Sequence, residues 1–112
     1  MIKTRLTELV GIKYPIIQAG RGPYPVTSLC IAAANAGCPG LCSTFATASR
    51  ETNKVVFDDF CKQAHADPSD DDVTIFKKMF TRVFEETKES DGIFGANVMV
   101  SAELRQNAAN VM

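Results

Sequence analysis

Tyr14-Pro15-Ile16-Ile17-Gln18-Ala19-Gly20-Arg21-Gly22-Pro23 is the stretch on which the fold turns. An apolar run stops at Gln18 and becomes a loop rich in Gly and Pro, and an Ala-rich helical pattern follows a few residues later. A buried strand of a parallel sheet ends in this way before it feeds its crossover helix. Ligands of such folds sit at the carboxyl ends of the strands. The site is therefore expected to begin at Gln18, Ala19, Gly20 and Arg21.

Outward from that stretch the pattern repeats. Upstream, residues 3–10 suit a short helix with Leu6, Leu9 and Val10 on one face and Gly11 as its stop. Residues 14–19 form the first strand. Residues 26–36 form a helix capped by Thr27 or Ser28, with Leu29, Ala32, Ala33 and Ala36 turned to the sheet and Gly37 free to take a left-handed cap. Gly40 to Phe45 form the second strand, whose polar end at Ser43 and Thr44 suits the rim of a site. A long segment, 46–69, carries a helical stripe of Val56, Phe57, Phe60, Cys61 and Ala64. Ser69 then caps a helix that runs to about Lys88, with Val73, Phe76, Phe80, Val83, Phe84 and Thr87 on its apolar face and Asp71 and Asp72 near its positive end. Ser90-Asp91-Gly92 makes a turn, residues 93–100 a third strand, and Ser101-Ala102-Glu103 opens a last helix. The fold class is α/β: three β/α units with an incomplete parallel sheet. A complete (β/α)8 barrel takes about 250 residues, and 112 residues supply less than half of one.

Composition narrows the function. With 46% hydrophobic and 22% charged residues the chain is an ordinary globular one. The net charge of -1 and the lack of a basic stripe argue against nucleic acid as a partner. No apolar run approaches the roughly 20 residues that cross a bilayer, and no signal-peptide core follows Met1, so a cytoplasmic location is expected. Cys30, Cys38, Cys42 and Cys61 lack CxxC spacing; Cys38 and Cys42 have no second ligand pair, and all four read as reduced structural thiols.

Among polar residues, Asn97 is the strongest site candidate, because it interrupts an apolar strand, where an unpaired amide costs about 1–3 kcal/mol. Gln18 reads either as a site residue or as a buried polar group satisfied by backbone. His65 reads as a solvated surface histidine rather than a catalytic base, and Asp70-Asp71-Asp72 as an acidic helix start rather than a metal cluster. The Phe76, Phe80 and Phe84 stripe reads as core; any part left exposed invites self-association.

Thr4-Arg5-Leu6-Thr7-Glu8-Leu9, followed by Gly11-Ile12-Lys13-Tyr14-Pro15-Ile16-Ile17-Gln18, resembles the opening of the nitronate monooxygenase (2-nitropropane dioxygenase) family. The flavin-dependent enoyl-ACP reductases look similar. Leu29, Ala32 to Gly37, Gly40, and Phe94-Gly95-Ala96-Asn97-Val98-Met99 fit the same pattern in the same order, so the resemblance covers 3–45 and 93–110. It implies the N-terminal part of a TIM-barrel flavoprotein domain that binds FMN at its carboxyl face, acts on a small-molecule substrate, and oxidises alkyl nitronates with molecular oxygen or reduces enoyl thioesters. It also implies that Ala19, Gly20 and Arg21 offer backbone to the flavin ring and that Asn97 contacts it. Three features depart from the family: Arg21 stands where Met is usual, Gly37-Cys38-Pro39-Gly40 replaces Gly-Gly-Leu-Gly, and 46–69 is long. The family's phosphate loops and catalytic His belong to later strands. The chain alone is thus expected to hold only the first part of the FMN site and to be inactive, or to work as a non-catalytic barrel fragment that assembles with other chains through its open sheet edge.

Overall fold

In a computed structural model, residues 2–21 and 24–98 are described. They form a mixed α/β chain around one small parallel sheet. The elements are helices α1 (Arg5–Val10) and α2 (Thr27–Asn35), strand β1 (Gly40–Ser43), a 3-10 turn (Phe45–Ser49), helices α3 (Lys54–Ala64) and α4 (Asp72–Thr87), a second 3-10 turn (Lys88–Ser90) and strand β2 (Phe94–Asn97). β1 and β2 run parallel, with Gly40 opposite Phe94 and Ser43 opposite Asn97. Two helices and both 3-10 turns fill the crossover between them.

The expected first strand is reduced to one parallel bridge, Gln18 to Gly40. The Gln18 N–H donates to the Pro39 carbonyl (3.0 Å) and the Leu41 N–H donates to the Gln18 carbonyl (3.1 Å). Upstream, Pro15 sits inside a tight turn closed by the Ile16 N–H on the Tyr14 carbonyl (2.8 Å), and Lys13 and Tyr14 both donate to the Gly37 carbonyl. Proline lacks the donor a ladder needs and its fixed φ suits a turn of this kind. Ile16 and Ile17, expected to be buried on both faces, are 62% and 48% exposed.

Local signals explain the helices. Thr4 caps α1 in a reciprocal capping box with Thr7, and Gly11 closes it at φ 79°. The inward residue of α1 is Thr7; Leu9 faces solvent at 86% exposure, contrary to the expected stripe. No side chain of Thr27 or Ser28 caps α2. Its free N-terminus is satisfied from a distance, by the Ser28 N–H donating to Gln63 Oε1 (3.1 Å), while Arg82 donates to the Gln63 carbonyl and to Ser28 Oγ. The buried face of α2 is Thr27, Cys30, Ile31 and Ala34, not the Leu29–Ala36 stripe. The helix lies between β1 and the α3–α4 pair, and its bulkier stripe fills that space.

The core is a cluster of Cys30, Ile31, Cys42, Ala46, Phe57, Phe60, Cys61, Ala64, Ile75, Phe76, Met79 and Val83, with Val56, Phe80 and Phe94 against its edge. The α3 stripe agrees with the sequence reading. The α4 stripe is rotated by about one position: Ile75 and Met79 are buried where Val73 and Phe84 were expected. Arg50 braces the turn before α4, donating to the Pro68 and Asp70 carbonyls and to Asp72 Oδ1 (2.6 Å) while stacking 4.4 Å from the Phe57 ring.

Asp71, rather than Ser69, caps α4 by accepting from the Thr74 N–H at 3.0 Å. Hydrogen bonds from the Thr74 side chain and backbone hold the Asp71 carboxyl below the usual carboxylate range. A carboxyl whose pKa is lowered by folding stabilises the fold above its unfolded pKa of about 3.9 and loses that stabilisation as pH falls toward the folded value. Urea midpoints should therefore drop on acidification below about pH 4. Asp71→Asn keeps a capping acceptor without the charge, so it should make that drop shallower; an unchanged acid profile would remove Asp71 from the effect.

Candidate functional site

The carboxyl ends of β1 and β2 and the loop after the Gln18 bridge converge. A Cβ built on Gly20 would lie 2.7 Å from Asn97 Cβ and 3.6 Å from the Cys42 carbonyl oxygen. The loop backbone thus rests directly on the last residue of β2, and no larger residue fits at 20 without moving one of them. Of the residues singled out by sequence, Gln18, Gly20 and Asn97 are brought to this one end of the sheet. Ala19 and Arg21 flank Gly20 and are both exposed. Among the described residues Arg21 makes no ion pair.

Gln18 is a half-buried polar group turned mainly to the fold. Its Oε1 accepts from the Leu41 N–H (3.2 Å) and its Nε2 donates to the Ala19 carbonyl. Of its two readings, the one in which backbone satisfies the amide describes these contacts. Asn97 differs. Its main-chain carbonyl accepts from Thr44 Oγ1 at 2.9 Å, which locks the strand end, and the residue as a whole is exposed.

Ser43 and Thr44, expected at the rim, are each 1% exposed. Parallel pairing sets Ser43 beside Asn97 on one face of the sheet. Among the described residues the Ser43 hydroxyl has no hydrogen-bond partner. A buried hydroxyl without a partner costs about 1–3 kcal/mol, so the polar capacity at this strand end exceeds what the fold itself consumes. Two small polar residues at a strand end carry no signal of their own burial, which depends on tertiary packing.

The other polar candidates lie elsewhere. His65 is the left-handed C-cap of α3 (φ 56°) and is exposed. Its neighbours Lys77, Lys78 and Arg82 line a groove between α3 and α4, where Lys78 pairs with Asp70 and Arg82 with Glu86. Asp70, Asp71 and Asp72 are taken up by Lys78, the α4 cap and Arg50. No group of His, Cys, Asp and Glu suited to a metal ion occurs among the described residues. No helix among them is long and apolar enough to cross a membrane. Met99, Val100 and the expected last helix from Ser101 lie outside the described residues.

The described residues form an α/β chain with a small parallel sheet, and the candidate site is the Gly20 loop against Asn97 at its carboxyl edge. Comparisons with protein-family models, with curated proteins and with solved structures found no match.

Proposed function

We propose that the chain carries the ring-binding part of an FMN site of the nitronate monooxygenase type, on the first strands of a (β/α)8-type barrel. The observation that carries this reading is the contact of the Gly20 backbone with Asn97 at the carboxyl ends of the strands. A planar heterocycle with a polar edge needs close backbone approach on one side and a side-chain amide on the other. Residues 19–21 offer the first and Asn97 the second. When bound, FMN would supply the electron transfer to oxygen that oxidises a nitronate. The chain's own residues bind and orient the ring.

Phosphate is bound by clustered backbone donors at a helix N-terminus or Gly-rich loop. At the N-terminus of α2 the Ser28 N–H already donates to Gln63 Oε1. We assign the ring, not the phosphate, to these residues. A second reading, a barrel fragment that works by assembling with other chains, rests on the exposed Ile16 and Ile17 beside a single-residue bridge. A shift in solution mass with concentration tests it.

Asn97→Ala should weaken flavin binding about two- to tenfold, the value of one hydrogen bond, in a titration followed by flavin fluorescence. The Asn97 contact that holds the fold is made by its main chain, so the variant should unfold at the same urea concentration. Unchanged flavin affinity would take Asn97 out of the site.

A further inference from the structure

We infer that Cys30 and Cys42 form a dithiol modification site that closes to an intramolecular disulfide when a two-electron oxidant of the peroxide class reaches it. The two sulfurs lie 3.3 Å apart, twelve residues apart in sequence, one on α2 and one on β1. Both residues are fully buried. Nothing separates them, because the helix backbone at Cys30 rests on Gly40 at the start of the strand. Bond formation requires the sulfurs to close by little more than an ångström, toward an S–S length of about 2.05 Å.

The pair is chemically asymmetric. The Cys42 S–H donates to the Cys30 sulfur, and this hydrogen bond lowers the Cys30 pKa against the opposing effect of burial, while it raises that of Cys42, with burial raising the latter further. Cys30 is therefore the thiol that reacts first. Its thiolate attacks one peroxide oxygen, the O–O bond breaks, and the leaving hydroxide takes up the proton the Cys30 thiol released, so that a sulfenic acid and one water result. The Cys42 sulfur then displaces the sulfenic oxygen as a second water. Two thiols and one hydrogen peroxide thus give one disulfide and two waters. The other two thiols lack this arrangement. Cys38 is half-buried and without a thiol neighbour, and Cys61 is pushed up to about 11 by burial. The crosslink would pin α2 to β1 at Cys42, whose carbonyl faces Gly20, so the redox state would be felt at the strand end.

The test is peptide mapping of the native chain after graded hydrogen peroxide, with remaining thiols alkylated on denaturation. Half-exposed Cys38 sets the dose. The expected product is a Cys30–Cys42 linked peptide, lost on dithiothreitol treatment, and in Cys42→Ser a Cys30 that stops at sulfenic acid and is captured by dimedone. Recovery of Cys30 and Cys42 as free thiols in chain whose Cys38 is already oxidised would overturn the inference. So would linkage of either to Cys38 or Cys61 in place of each other.

Discussion

Phe60→Ala should lower the free energy of unfolding by about 3–5 kcal/mol, the cost of deleting a buried aromatic ring and leaving a cavity. Phe60 is fully buried on α3 within the cluster that holds Ile75, Phe76, Met79 and Val83. A single domain has only about 5–15 kcal/mol in hand, so the variant should sit at the edge of unfolding. Urea denaturation followed by far-ultraviolet circular dichroism measures it. Leu9→Ala is the matched contrast, since Leu9 is exposed on α1; surface changes stay within about 0.5 kcal/mol. A loss below about 1 kcal/mol for Phe60→Ala would mean that α3 and α4 do not share a packed core.

Gly40→Ala should cost about 1–3 kcal/mol or more, although alanine in place of a strand glycine lowers the entropy lost on folding. The added methyl would collide with the Cys30 carbonyl oxygen and stand 2.9 Å from the Cys30 carbonyl carbon and Cα. These are helix backbone atoms, which no rotamer change can move aside, so α2 must lift from β1. Gly95→Ala is the control. Among the described residues its methyl meets only the Leu41 Cδ2 at 3.2 Å, the end of a flexible side chain, and the effect should be small. Equal urea midpoints for wild type and Gly40→Ala would show that α2 does not rest on the strand.

Much of this architecture is legible in the residues. The stops at Gly11 and Gly37, the α3 stripe, the acid-rich start of α4 and the two paired strands follow from local chemistry: left-handed glycines, 3.6-residue periodicity and short apolar runs. What sequence misplaced depends on partners far along the chain. The Tyr14–Ala19 run has strand composition, yet a strand exists only where a neighbour pairs with it, and pairing is limited to Gln18. Thr27 and Ser28 look like caps, but Gln63, thirty-five residues on, supplies the acceptor. The inward faces of α2 and α4 were displaced because each has neighbours on more than one side, and a hydrophobic stripe alone does not say which side is better filled.

The site shows the same division. Strand-end position points to Gln18 and Gly20, and the break in an apolar strand together with the family resemblance points to Asn97; the fold brings all three to one edge. The lock from Thr44 to the Asn97 carbonyl and the unpartnered Ser43 hydroxyl had no signal in sequence beyond two small polar residues. Arg50, which ties the end of the first 3-10 turn to the 68–72 stretch and to Phe57 of α3, is likewise an unmarked Arg in a polar stretch.

The most direct test of the proposed ring-binding site is a near-ultraviolet and visible absorbance titration of the purified chain with FMN and, in parallel, with riboflavin. The proposed ring contacts at Gly20 and Asn97, with no phosphate cradle among them, predict a perturbed flavin spectrum, weak binding, and nearly equal affinity for the two flavins. An unperturbed spectrum with both, or a strong preference for FMN that survives Asn97→Ala, would contradict it.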